Sequence, residues 1–155
     1  MIILGIDPGY AIVGYGVIEF KSNRFSVVDY GAITTNAGTP FERRLELIYD
    51  DLNLLMGKFH PEAMSIEKLF YNTNAKTVID VAQARGVTVL AAKKNNIPIF
   101  EYTPLQVKQS VVGYGRAEKK QVQEMTRIIL KLAKIPKPDD TADALAMAIC
   151  HAHAS

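Results

Sequence analysis

IILGIDPGYAIVGYGVIEFKSNRFSVVDYGAIT, residues 2–34, decides the fold. Residues 2–7 are an apolar run that ends on Asp7, and Pro8-Gly9 marks a turn. Residues 12–20 alternate and are rich in β-formers. Lys21-Ser22-Asn23 makes a second turn, and residues 24–34 supply a third strand. Three strands joined by short turns predict an antiparallel meander. Beyond it the period changes. Phe41, Leu45, Ile48, Leu52, Leu55 and Phe59 recur at steps of four and three, one face of an amphipathic helix. Thr39 is expected to cap it, Pro40 to occupy its first position, and His60-Pro61 to end it. A short buried strand then runs through Ile66 to Glu67. A helix over about 74–95, a strand over 97–102 and a helix opened by Thr103-Pro104 follow. Gly113–Gly115 reads as a loop. The next helix carries Val122, Met125, Ile128, Ile129 and Leu132, and the last runs from about Asp139 to Ala152. The order β-β-β-α-β-α-β-α-α-α predicts an α/β chain. Its mixed five-stranded sheet joins the meander to parallel strands, with helices on both faces.

At 155 residues the chain reads as one domain, spanning 1–155. The net charge of +2 is too small for a nucleic-acid-binding tail, though it leaves room for a basic face. Cys150 is the only cysteine, so no internal disulfide is possible, which suits a reducing compartment. It lies on the apolar face of the last helix and reads as a small buried hydrophobe. No apolar stretch reaches the ~18 residues of a membrane span, and the N-terminus lacks signal-peptide features. The expected location is the cytoplasm.

Four acids stand out. Asp7 and Glu67 end apolar strands, where sites gather in open α/β sheets. Asp140 and Asp143 sit three apart at the start of an otherwise apolar helix, so they share a face, and the helix N-terminus favours their charge. Two strand ends and one helix start can converge on one pocket. Each acid alone has an ordinary explanation: a turn at Asp7-Pro8-Gly9, a surface ion pair of Glu67 with Lys68, a helix cap at Asp140. Together they point elsewhere. Clustered carboxylates raise one another's pKa and hold protons. Mg²⁺ or Mn²⁺, which prefer oxygen ligands, relieves this, and a pair of such ions can support in-line phosphodiester hydrolysis. No Cys/His spacing suggests zinc.

GIDPG (5–9), GYGVI (14–18), SIEKLF (65–70), AQARGV (82–87), VKQSVVGYGRAEKKQV (107–122) and DDTADALAMAI (139–149) together resemble the RuvC-type Holliday junction resolvases of bacteria. The resemblance runs from Gly5 to about His151. It implies an RNase H-like fold and a homodimer that binds a four-way DNA junction. It implies paired nicks in strands of like polarity, leaving 5′-phosphate and 3′-hydroxyl ends. It also implies one or two Mg²⁺ ions per subunit, with Mn²⁺ able to substitute, and a functional link to a branch-migration motor of the RuvA and RuvB type. The acidic tetrad of the family falls on Asp7, Glu67, Asp140 and Asp143. Within the Asp139-Asp140 doublet, the spacing to ADALA favours Asp140 as ligand and leaves Asp139 as the helix cap. Tyr10 departs from the small hydroxyl residue common in the family.

Lys108, Arg116, Lys119 and Lys120 cluster in the fifth block as candidate DNA-binding residues, and Gly113 and Gly115 would let backbone approach a phosphate. Family motifs place Lys108 and Lys119 near phosphate and an aromatic Phe70 at the junction centre, where stacking on a base is worth on the order of 1–3 kcal/mol. Each of these has a plainer alternative, a solvated helix face or core packing. Tyr71 is left unassigned. Arg85 is placed equally well for a phosphate or a subunit face. His151 and His153, two apart, read as helix-end cations or solvent residues. Two other enzyme classes remain open: an RNase H-like nuclease acting on RNA, and a nucleotide-binding domain of the actin-like ATPase class. The second would need another such domain and a second Gly-rich loop, and no P-loop is present. A non-enzymatic junction-binding module would have no use for four carboxylates.

Overall fold

The computed structural model describes residues 1–9, 11–69 and 75–155. The strands are β1 (Ile2–Pro8), β2 (Ile12–Lys21), β3 (Arg24–Thr34), β4 (Ala63–Glu67) and β5 (Ile99–Tyr102). The helices are α1 (Phe41–Phe59), α2 (Ala75–Lys94), α3 (Pro104–Val111), α4 (Lys119–Ile129) and α5 (Asp139–Ala154). The order of elements is the expected one. The sheet runs β3-β2-β1-β4-β5. β1, β2 and β3 pair antiparallel, while β4 pairs parallel with β1 and with β5. Among the described residues no helix is long and apolar enough to cross a membrane.

Strand period two divides the sheet into two faces. Leu4 and Ile6 of β1, Val13 and Val17 of β2, and Met64 and Ile66 of β4 pack with α1 and α2. The alternate residues meet α5: Ile3 and Ile18 pack on its later turns, and those under its first turns are small. A Cβ on Gly5 would lie 1.9 Å from the Ala144 carbonyl oxygen, and one on Gly14 would lie 2.1 Å from that of Asp140. Ser65 adds a tie, its hydroxyl donating to the Met147 carbonyl at 2.7 Å. α5 answers with Ala142, Ala144, Ala146 and Ala148, all buried. Every residue from Ala144 to Ala152 is buried, because α3 and α4 cover the side of α5 away from the sheet. A helix apolar all round is the sequence signature of such a sandwiched position.

Three helix-end expectations are corrected. Pro40, at φ −54° and ψ 143°, is itself the N-cap of α1, and Thr39 makes no capping bond. The backbone turns helical one residue later than the proline suggested. Asp139 does not cap α5 either: Pro138 holds that position, with no side-chain bond. His151 is buried, at 4% exposure. Its Nδ1 shares a 2.6 Å hydrogen bond with the Tyr102 hydroxyl, its ring lies 4.3 Å from that of Phe100, and burial pushes its pKa down. α5 continues beneath β5 past the point where solvent was expected. His153 does emerge, bonded to Ser110. Cys150 is buried, as expected.

Gly5→Ala should therefore cost about 2–3 kcal/mol, since the clash is with backbone and cannot relax by a rotamer change. In thermal denaturation that is a midpoint lower by roughly 4–12 °C. An unchanged midpoint would show that the contact between α5 and β1 is looser than described.

Candidate active site

Asp7 stands on the α5 face of β1 because it follows Gly5 by two, and Glu67 stands on the same face of β4 because it follows Ser65 by two. The ladder between these strands sets Gly5 against Ser65 and Ile6 against Ile66. The next residue of each strand is an acid, and neighbouring strands lie only about 4.7–4.9 Å apart. Asp143, one turn into α5, comes down over Asp7. Asp7, Glu67 and Asp143 line a cleft of about 260 Å³. Asp140 stands to one side, over the turn between β1 and β2. Its Oδ2 lies 2.9 Å from the point where a Gly9 side chain would begin.

Electrostatics confirm the crowding. Burial, then the charges of Asp143, Asp140 and Glu67 and a hydrogen bond with Asp143, push the Asp7 pKa up to about 8. Burial and Asp140 also push Asp143 up, although Lys119 and the bond from Asp7 pull against them. Burial and the charge of Asp143 raise Glu67, with Lys108 opposing. Near neutral pH Asp7 thus keeps its proton, in a hydrogen bond shared with Asp143. A buried acid–carboxylate pair of this kind is what a divalent cation displaces a proton from. Among the described residues no three His, Cys, Asp or Glu side chains already converge closely enough to hold an ion. The donors available at the cleft are nevertheless carboxylate oxygens, the ligands of hard divalent cations, so the residues present fit such an ion.

The doublet separates cleanly. Asp139 turns outward to Lys137 at 3.3 Å and Lys119 at 3.7 Å. The Lys137 bond, with support from Lys119 and Gln123, holds its carboxyl below the usual range. Asp140 turns inward. Lys119, at the start of α4, also lies 3.6 Å from Asp143. Burial pulls its ammonium down, but Asp143, Asp139 and Asp7 outweigh this and raise it.

Lys108 and Lys119 both line the cleft, with Pro104, Val107, Val122, Ala146 and Met147 as an apolar wall. Arg116 and Lys120 are exposed, and neither lines the cleft. Gly113 has φ +107°, which favours glycine. Gly115 has a different cause from the one expected: the space a side chain would take is occupied by Leu105, whose Cδ1 lies 2.1 Å from the Cβ position. Phe70, Tyr71 and Tyr10 lie outside the described residues. One participant carried no readable signal, and another was ambiguous. Gln123 is a polar residue on an amphipathic helix, buried against Asp139. Arg85 was singled out, but its partners, the Glu67 carbonyl and Glu101, come from two different strands.

The family model of crossover junction endodeoxyribonuclease RuvC matches residues 3–151. A protein of that name from Ruminiclostridium cellulolyticum is 64% identical over 151 residues, 97% of this chain and 91% of the relative. One from Clostridioides difficile is 59% identical over 155 residues, 100% of this chain and 92% of the relative. Among solved structures, Thermus thermophilus RuvC matches with a TM-score of 0.91 at 33% identity, over 99% of this chain and 94% of that one. T. thermophilus RuvC in complex with Holliday junction substrate matches with a TM-score of 0.90 at 30% identity and the same coverage. The sheet order and these matches make the fold RNase H-like. The chain belongs to the crossover junction endodeoxyribonuclease RuvC family.

Proposed function

We propose that this chain is a structure-selective endonuclease that resolves four-way DNA junctions in recombination and repair. It cuts strands of like polarity in pairs. Water adds its oxygen to phosphorus, the bond to the 3′ oxygen breaks, and that oxygen leaves as a hydroxyl opposite a 5′-phosphate. The observation that carries this is the cleft itself: Asp7, Glu67 and Asp143 facing Lys108 and Lys119 at the carboxyl ends of β1 and β4, in a chain of this family.

Asp7, Glu67, Asp140 and Asp143 are the proposed ligands of Mg²⁺, with Mn²⁺ as a substitute and one or two ions per subunit. When bound, such a cation supplies Lewis-acid stabilisation and an activated water. The chain's own residues supply the rest. Lys108 and Lys119 draw a phosphate into the cleft and offset charge that develops on it. Val107, Val122, Ala146 and Met147 limit competing water on the opposite wall. Arg116 and Lys120 extend the positive path for flanking DNA, and Phe70 is the proposed base-stacking residue.

Paired cuts need two clefts, so the active species is proposed to be a homodimer. Ile79, Gln83, Gly86 and Leu90 form an exposed stripe along α2, at the helical spacing a second helix can meet. A branch-migration motor that presents the junction, and a cytoplasmic location, complete the proposal.

Asp7→Asn should reduce cutting of a synthetic four-way junction by on the order of 10³-fold, while gel-shift binding persists and linear duplex is spared by both proteins. Cutting at the wild-type rate would overturn the site assignment.

The raised Asp7 pKa has a stability consequence with a definite sign. The unfolded chain loses this proton near pH 3.8, the folded chain only near 8. Folding is therefore unpenalised by Asp7 below 3.8, increasingly penalised between the two values, and fully penalised above 8. Without divalent cation, Asp7→Asn should melt above wild type at pH 8, with the gap closing toward pH 4. Mg²⁺ should raise the wild-type midpoint at pH 8 and move that of Asp7→Asn much less. A thermal-shift series over pH, with and without Mg²⁺, reads both effects.

Lys120→Ala should flatten the slope of log binding constant against log salt by about one unit, with the cutting rate of saturated complex unchanged. An unaltered slope would remove Lys120 from the DNA path.

A further inference from the structure

Glu67 is held less completely than Asp7. β1 pairs with β4 only as far as Ile6 with Ile66, so Glu67 lies one residue beyond that ladder. On the other side β5 still accompanies it. Glu67 is in register with Tyr102, and the Lys68 amide donates to the Tyr102 carbonyl at 2.8 Å. A backbone carbonyl at a strand end needs a partner, and the Glu67 carbonyl finds one in a side chain. Arg85, from the middle of α2, donates from Nε at 3.3 Å. The other branch of the same guanidinium pairs with the Glu101 carboxylate of β5, and Glu101 stands in register with Ile66. The Arg85 side chain is only 16% exposed.

The two faces of the sheet decide what this contact can do. Glu67 presents its carboxyl to the α5 face and the cleft, whereas α2, which carries Arg85, packs with the opposite face. Arg85 meets the strand at its backbone and not at the carboxyl. The α2 face beside it is buried: Ala84 and Thr88 are closed off from solvent, and the Thr88 hydroxyl is satisfied within the helix by the Ala84 carbonyl at 2.9 Å. A planar fork that holds a carbonyl and a carboxylate at once is a task for arginine and not for lysine.

We propose that Arg85 is a positioning residue for the reaction: by clamping the Glu67 carbonyl to Glu101 and α2, it sets the direction in which the Glu67 carboxyl enters the cleft. This rests on the assignment of Glu67 as a working carboxylate of the site. On this proposal Arg85 acts through Glu67 and not on substrate, so its loss acts on the handling of the cation and the cutting step and leaves junction binding alone.

The test compares Arg85→Ala, Arg85→Lys, Glu101→Ala and the double variant Arg85→Ala/Glu101→Ala with wild type and Glu67→Gln, well below each melting midpoint. Arg85→Lys keeps the charge and guards against an alanine variant that fails to fold. Two quantities are read besides junction affinity: the single-turnover cutting rate of bound junction, and the Mg²⁺ concentration that half-raises the melting midpoint without DNA. Arg85→Ala should slow cutting and raise that Mg²⁺ concentration by roughly 10–100-fold, with junction affinity unchanged. Arg85→Lys should show the same two defects in smaller measure. Excess Mg²⁺ should recover part of the rate, and the double variant should be no slower than Arg85→Ala alone. Weaker junction binding with a flatter salt slope and a normal cutting rate would make Arg85 a phosphate contact and overturn the proposal. Normal cutting and normal Mg²⁺ response in Arg85→Ala, beside an inactive Glu67→Gln, would reduce Arg85 to a fold contact and overturn it too. A fully active Glu67→Gln would instead sink the assignment of Glu67, and this proposal with it.

Discussion

The backbone of α5 rests on the backbone of β1 and β2. The Ala144 carbonyl occupies the place of a Gly5 side chain, and the Asp140 carbonyl that of a Gly14 side chain. The rest of the site depends on this approach. It brings the first turns of α5 low enough for Asp143 to bond Asp7. The lengths of the acids follow from it. α5 lies chiefly over β2 and β1 and less over β4. The acids on α5 and on β1 beneath it are aspartates, with one methylene each. The acid on β4, farther from the helix axis, is a glutamate, with two. Small residues on the sheet and alanines on the helix are thus part of the chemistry, although none of them carries a reacting group.

That geometry is electrostatically expensive. Asp7 is buried among other acids and keeps its proton to about pH 8. The fold tolerates the cluster by three means: a shared proton between Asp7 and Asp143, the ammonium of Lys119 beside Asp143, and the positive end of α5. None of the three is complete. A proton can be displaced, Lys119 divides itself between Asp139 and Asp143, and a helix end supplies only partial charge. A site compensated in this loose way is ready to exchange its internal compensation for a divalent cation. Stability is held down locally where the function needs a vacancy of charge, a recurrent compromise at functional sites.

Much of this was legible in the residues. The meander follows from apolar runs separated by Pro8-Gly9 and Lys21-Ser22-Asn23, and α1 from its stepped apolar face. The convergence of Asp7, Glu67 and Asp143 follows from their places at element ends. What escaped were consequences of contact between distant segments. Cap positions at Pro40 and Pro138 moved by one residue because proline also suits the extended backbone just before a helix. His151 looked solvent-facing because a two-residue spacing from His153 says nothing of how far β5 covers α5. Gly115 looked like a phosphate nest and is filled by Leu105 from ten residues upstream. Arg85 was ambiguous because its partners are a backbone carbonyl and a glutamate on separate strands, and no local pattern couples them.

The two faces of the sheet do different work. On the α5 face, small residues and acids build the cleft. On the other face, apolar residues bind α1 and α2 to the sheet, and α2 turns Ile79, Gln83, Gly86 and Leu90 to solvent. Arg85 belongs to this second layer yet ends on the strand that carries Glu67 into the first. If the exposed stripe of α2 meets a second copy, the helix that pairs the subunits is also the helix whose Arg85 holds the Glu67 backbone carbonyl behind each cleft.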